Sequence, residues 1–380
     1  MRRPLVFLAL GLVLAGPFVL GYRLSRGDRA TDAVVMPRVV DEVRAALAGQ
    51  YYRPVPASVL GHATVPAIIT ALGDPYTAYL APPDYEQLRR QTEGHYSGIG
   101  ASLLPEPRGL VVVSVPPGPA VAAGLRTGDT IVSIDGIPSV RLGPASARAR
   151  IVGPTGTHVR LRVLRGRRTL DLDVRRGMVP SPTVDAALLR YAGRTWGSLR
   201  LGAFGDGASA ALRRQIRALH RHGVSGFVLD LRENPGGLLD QAVAVSSLFL
   251  DRGIIVSLSG AHTPHQVYRA SGRVATRLPL VVLVDRDSAS SAEIVAAALN
   301  DNQRATLVGE RTFGKALVQA LDPLDNGAAL EISVARYTTP SGRNISGVGV
   351  VPRIHAVDDP RTAHDEALEA ALGVLARPTS

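Results

Sequence analysis

Short apolar runs alternating with helix-length amphipathic stretches constrain this chain more than any other feature. Beyond Pro180 and Pro182 the sequence passes from GSLRLGAF to a helical pattern through LRRQIRALHRHG, then to GFVLDL and a helix over LLDQAVAVSSLFL. GIIVSLS and PLVVLVD follow, then a helix over AEIVAAALN, the strand ATLVGE and a β-rich close through ALEISVARYTTP. Such alternation of strand and helix predicts an α/β layer over residues 180–360, with a helix or tail at 361–380. No internal repeat interrupts it.

The upstream rhythm differs. Residues 31–91 read as a small helical module, with apolar spacing in VVDEVRAALAGQYY and VPAIITAL broken by several prolines. Residues 97–177 read as a compact β domain of short runs such as GLVVVSV and DTIVSIDG. It ends in an arginine-rich hairpin, HVRLRVLRGRRTLDLDVRR, expected to turn near Gly166 with its arginines on a wet face. Much of the formal net charge of +11 sits between Arg141 and Arg176, so it argues for a solvated sheet face rather than a nucleic-acid partner. At the start, Arg2 and Arg3 precede an uncharged, mostly apolar run from Leu5 to Tyr22. Residues 1–26 are therefore expected to be an export signal, either an uncleaved membrane anchor or a signal peptide, with the remaining chain outside the cytoplasm.

The chain has no cysteine, which excludes disulfides, thiol nucleophiles and thiolate metal sites together. Hydroxyl, amine, imidazole and carboxylate chemistry remain. Two loops of the α/β part could carry it. ENPGG, Glu233 to Gly237, follows the strand GFVLDL, where ligands bind in such sheets and glycine amides could hold a developing oxyanion. The same residues also suit a plain tight turn into a helix. SASSAEI follows PLVVLVD and puts small hydroxyl residues at a helix start, where orphan amides favour an anion. Serines at that place are also ordinary N-caps, a role open to Ser288. A serine needs a base, and Lys315 in ERTFGKALVQ is a candidate if burial keeps its amine neutral. Gln319, four residues on, shares a face with Lys315 and could orient it. Taken alone, a lysine after glycine is more often solvated.

Read together, DLRENPGG, SASSAEIVAAALNDNQRA and VGERTFGKALVQ resemble the tail-specific, or C-terminal processing, serine peptidases. The resemblance extends to ARYTTPSGRNISGVGVVP downstream and to GDPYTAYL and YSGIGASL upstream. It implies a multidomain α/β protein whose peptidase core has the crotonase and Clp-protease type of fold. By the same resemblance Ser290 is the nucleophile, Lys315 the base and Gln319 its orienting partner, with the amides of Gly236, Gly237 and Ser291 as the oxyanion hole. Ser291 and Ala292 reverse the family's usual order, and Ala316 stands where a glycine usually follows the lysine. Asp301 matches an acid of the family, but eleven helical residues separate it from Ser290 by about 16 Å, so it is read as structural.

The segment 97–177 resembles a PDZ domain, with Gly98, Ile99 and Gly100 at the carboxylate-binding loop and AVAAGLRTGDTIVSIDG as a second signature. Such domains add a peptide strand to a sheet edge and hold its terminal carboxylate on loop amides. The implied partners are proteins or peptides with free C-termini, with the membrane reached through the N-terminal segment. The mechanism needs no metal or cofactor, and self-association stays open. Two competing readings keep much of this architecture: a membrane-anchored PDZ adaptor with a silent peptidase fold, and an enzyme acting on acyl thioesters. The intact set of Ser290, Lys315 and Gln319 argues against the first, and the PDZ-like segment against the second.

Overall fold

The computed structural model describes residues 37–92, 95–106, 108–115, 117–142, 144–180, 184–359, 362 and 364–377. The apolar segment expected to export or anchor the chain, residues 1–26, lies outside the described residues. The described residues divide into two compact units, one lying within 95–180 and the other combining 37–92 with 184–377.

The larger unit is built on a six-stranded sheet, in the order Val184–Tyr191, Arg194–Leu201, Phe227–Asp230, Leu280–Val284, Thr306–Gly309 and Ile354–His355. Its strands pair in parallel except for the first, which forms an antiparallel hairpin with the second. The central strands are apolar at nearly every position because both faces are covered. Phe227, Leu229, Leu280, Val282 and Val284 share a core with helices Ala208–His220, Leu239–Ser246 and Ser291–Asp301. Val228, Val281, Leu283 and Val308 point the other way and pack on helix Glu366–Ala376 through Ala371, Leu372 and Leu375. The segment expected as a C-terminal helix or tail thus supplies the cover of one sheet face.

A second sheet runs Ala78–Leu80, Ala329–Thr338, Ile254–Ser259 and Gln266–Arg269, with Leu317–Pro323 also paired to Ala329–Thr338. Helices Pro37–Gln50 and Val65–Leu72 bury Val43, Leu47, Ile68 and Leu72 against Ala328, Leu330 and Ile332 of that sheet. The helices expected to stand as a module of their own therefore belong to the core of the larger unit. Two helices of 14 and 8 residues bury too little surface against each other alone, and the strand Ala329–Thr338 provides what they lack.

The smaller unit is an antiparallel sheet in the order Ser102–Glu106, Gly109–Ser114, Thr130–Ile134, His158–Arg165 and Arg168–Arg175. Its core gathers Ile99, Val112, Ile131, Ile134, Val159, Leu161, Val163 and Val174. The arginine-rich hairpin turns at Gly166, whose φ of 60° lies in the left-handed region. Val159, Leu161 and Val163 point inward while Arg160 and Arg162 face solvent, and Arg162 pairs with Asp171 across the strands at 2.7 Å. Most of that charge lies on a wet face, as the alternation predicts; Arg176 is the exception, buried and donating to Ile151 O at 2.9 Å and His158 O at 2.6 Å.

One ion cluster fixes the end of the central strand. Arg232 donates to Asp230 at 2.8 Å, Asp358 at 2.7 Å and Asp365 at 2.9 Å, and Asp365 also caps the last helix through the Leu368 amide at 2.8 Å. Its side chain is 14% exposed, so removing it leaves three carboxylates facing one another in a poorly solvated place. Arg232→Met is expected to lower stability by about 3 kcal/mol, the low end for a broken buried pair because Asp358 and Asp365 are partly wet. A shift of the urea midpoint at unchanged m-value measures it; an unmoved midpoint refutes the role of the cluster.

Candidate active site

The two loops singled out in the sequence leave the carboxyl ends of neighbouring parallel strands, Phe227–Asp230 and Leu280–Val284, paired with Asp230 opposite Leu283. They are laced together by backbone. The Ala289 amide donates to Asn234 O at 2.9 Å, Ser288 Oγ donates to Leu231 O at 2.8 Å, and Ser291 Oγ donates to Gly237 O at 2.8 Å. Gly236 has φ 106°, and a Cβ on it would lie 2.8 Å from Ser290 Cβ and 3.0 Å from the Ser291 amide nitrogen. Only glycine allows that approach.

The three hydroxyls of the run have different surroundings. Ser288 is fully buried and also bonds Asp285, so it holds the turn together. Ser291 is 2% exposed and spends its hydroxyl on the glycine loop. Ser290 is half-buried and caps helix Ser291–Asp301 with φ 53° and ψ −113°, a conformation that costs a non-glycine residue about 1–3 kcal/mol. Such backbone persists where its surroundings over-determine it.

Glu293 does this. Its carboxylate, fully buried, accepts from the Ser290 amide at 3.0 Å and the Lys315 amide at 2.9 Å on one oxygen. The other oxygen accepts from the Gly314 amide at 2.8 Å and from the Thr312 hydroxyl. Burial pushes the Glu293 carboxyl above its ordinary range, against the pull of these four donors. The buried Tyr337 hydroxyl lies 2.8 Å from Lys315 O and 3.3 Å from Ser290 O, joining the same two segments a second time. Neither Glu293 nor Tyr337 is singled out by the sequence analysis. Glu293 was within reach, since Ser290 and Glu293 have the S-x-x-E spacing of a capping box.

The Lys315 side chain is half-buried, and desolvation pulls its amine below the ordinary 10.5 although Glu331, Asp74 and Glu293 act in the opposite sense. Its Nζ lies 5.1 Å from the centroid of the Tyr76 ring. Gln319, expected to orient it, donates instead to Ser333 Oγ at 3.2 Å. The Gly236 amide, one of three expected oxyanion donors, is committed to Asn234 Oδ1 at 2.9 Å within its own turn. The Gly237 and Ser291 amides have no acceptor among the described residues. Asp301 receives Ser341 Oγ at 2.7 Å and Arg343 at 2.8 Å, fastening a distant loop.

The model of peptidase family S41 matches residues 195–356, which contain both loops and the Lys315 segment. The carboxyl-terminal-processing protease of Picosynechococcus sp. is 36% identical over 305 residues, covering 79% of this chain and 74% of that protein. This chain belongs to peptidase family S41. It is a protease of the C-terminal processing type. The carboxy-terminal processing protease CtpA of Bacillus subtilis is 31% identical over 353 residues, spanning 92% of this chain and 74% of that protein. Among solved structures, a photosystem II D1 C-terminal processing protease is 30% identical, covers 90% of this chain and 98% of its own, and superposes with a TM-score of 0.56.

The S41 core of this chain is accompanied by a PDZ domain, whose model matches residues 97–175. Gly98 ends a strand pairing with Gly177–Pro180, and the buried Ile99 accepts the Ala120 amide at 2.8 Å. Gly100 has φ 74°, and a Cβ there would approach Val179 Cγ1 to 2.8 Å. The amides of Ile99 and Gly100 have no acceptor among the described residues.

Glu293→Gln replaces one acceptor oxygen by an NH2 that faces backbone donors, which leaves buried donors unsatisfied. The expected result is a loss of about 2–3 kcal/mol in stability and a kcat lowered by at least about tenfold at saturating substrate. Wild-type kcat and urea midpoint in this variant would remove Glu293 from the account of the site.

Proposed function

We propose that this chain is an exported serine endopeptidase that processes the C-terminal regions of proteins, with Ser290 as nucleophile and Lys315 as general base. The observation that carries the reading is Glu293, one oxygen of which takes the amides of both residues and so ties the backbone of a strained serine to that of a half-buried lysine. The Ser290 hydroxyl attacks the scissile carbonyl carbon while the neutral Lys315 amine takes its proton. The tetrahedral oxyanion is received by the Gly237 and Ser291 amides, the second at a helix N-terminus. Lys315, now an ammonium, returns the proton to the leaving amine, and the C–N bond breaks to give an acyl-enzyme. Water then attacks that ester with Lys315 again as base, freeing the acid and Ser290. Gln319 supports this set through Ser333.

Substrate tails are held by the PDZ domain. An extended peptide adds to the edge strand Ser102–Glu106, and its terminal carboxylate meets the loop Gly98, Ile99 and Gly100. Residues 1–26 direct the chain out of the cytoplasm and hold it at the membrane. The silent-adaptor reading loses its ground here, because each part of the site is kept in a geometry that peptide binding alone does not call for.

Ser290→Ala and Lys315→Ala are each expected to abolish cleavage of a tail-bearing protein without unfolding the chain, while Ser291→Ala keeps most of it. A dead Ser291→Ala beside an active Ser290→Ala would move the nucleophile by one residue. Because only the neutral amine works as base, kcat/KM is expected to rise with pH to a plateau through a pKa below 10.5. A profile flat across that range counts against Lys315.

Binding by the PDZ domain is expected to require a free C-terminus, since amidation removes the charge its loop amides meet. Titration of one apolar-ended peptide as free acid and as amide measures this, and equal affinities would mean that the loop reads no carboxylate. Gly100→Val, which forces a side chain onto Val179, should weaken the free acid and leave a small serine-directed probe reacting at Ser290.

A further inference from the structure

Lys315 carries its amine on a flexible stem, and something must hold that amine where the serine's proton is handed over. Glu293 holds only the backbone, through the Lys315 amide. The Gln319 side chain is occupied by Ser333. Lys315 Nζ has no hydrogen bond or ion pair among the described residues, and the group it meets is the face of Tyr76, 5.1 Å from Nζ to ring centroid.

Tyr76 sits on a turn that is tied down on several sides. Its amide donates to Asp74 Oδ1 at 3.0 Å, and the Thr77 hydroxyl donates to Asp74 Oδ2 at 2.7 Å. The Tyr51 hydroxyl reaches the same oxygen at 3.2 Å. Thr77 Oγ1 in turn accepts the Ser333 amide at 3.1 Å, and Ser333 is the residue that Gln319 grips. The turn that carries the ring and the strand that carries Gln319 are thus fastened at one residue.

We propose that Tyr76 is the positioning residue of the catalytic lysine: its ring face receives the Lys315 ammonium formed when Ser290 gives up its proton, and keeps that cation beside the serine until the proton is passed on. The inference rests on the Ser290 and Lys315 reading above. The ionisable groups around the amine are Asp74 on the turn of Tyr76, Glu331 on strand Ala329–Thr338 and Glu293 on helix Ser291–Asp301. Tyr76 itself is held neutral, its phenol pushed up by burial and by Asp74 and Glu293, while the Tyr337 hydroxyl lies at the Lys315 carbonyl. An aromatic face attracts the cation and not the free amine. Gln319 then acts on Lys315 at one remove, by bracing Ser333.

The test compares Tyr76→Leu, Tyr76→Phe and Lys315→Ala in the full chain, with kcat, KM, the pH profile of kcat/KM and the urea midpoint for each. Leucine keeps the apolar enclosure and removes the ring, so Tyr76→Leu is expected to lower kcat by roughly 10- to 100-fold at little change in KM. It should also move the acidic limb of the profile to lower pH, because burial then acts on the ammonium without the ring's attraction. Phenylalanine restores the ring and should recover most of the lost kcat and the position of the limb. A fall in kcat with the limb unmoved, or one that phenylalanine does not rescue, overturns the proposal, as does an unchanged kcat in Tyr76→Leu. Lys315→Ala separates the two levels: if it cleaves normally the dyad reading fails, and if it is dead while Tyr76→Leu is unaffected only this inference fails.

Discussion

The candidate site of this chain hangs on one buried carboxylate. Glu293 accepts three backbone amides and a hydroxyl, and those donors come from residues far apart in sequence: Ser290 beside it, and Thr312, Gly314 and Lys315 after another strand. A carboxylate fully removed from water is tolerated only when its lone pairs are met, so each donor is bound to its place by the cost of leaving that charge unsatisfied. The same bonds hold Ser290 in a backbone conformation it would not adopt alone. The site is therefore a property of the chain's closure around Glu293 more than of any one motif.

Its position follows from the sheet. Two adjacent parallel strands end together, and the turns leaving them can touch only if one side has no side chain; Gly236 provides that, while Gly237 allows the same loop to lie against the Phe204 backbone. The alternation of strand and helix, the apolar strands and the two loops were all readable, since they depend on residue type and local period. The Ser288, Ser290 and Ser291 cluster was readable as a helix start but not as three different roles, which depend on which carbonyl each hydroxyl meets across the loop. The resemblance to a peptidase family, with the serine-to-lysine separation it implies, distinguished Ser290.

What the sequence concealed was long-range. Residues 37–92 have a helical period, yet their core partners are Ala328, Leu330 and Ile332, more than two hundred positions on. The same distance hid the contribution of Asp74 and Tyr76 to the surroundings of Lys315, because nothing local ties a turn after a short helix to a lysine near the end of the core. Gln319 illustrates a subtler limit: four residues of spacing suggest a face shared with Lys315, but they do not say which partner the amide takes, and it donates to Ser333.

The charges gathered here also carry a cost whose sign can be worked out. Lys315 has a folded pKa below its ordinary 10.5, so the unfolded chain binds more protons across that window and stability rises with pH through it. Glu293 and Glu331 have folded pKa values above their ordinary 4.5, so the folded chain binds more protons there and stability falls as pH rises through their windows. Between the two ranges all three groups are charged in the unfolded chain and disfavoured in the folded one by their burial. A core built for stability alone would place apolar residues at these positions. Their presence in a unit whose apolar clusters cover both faces of the six-stranded sheet indicates that the stability of the layer is what allows a strained serine and a desolvated lysine to be kept at its edge.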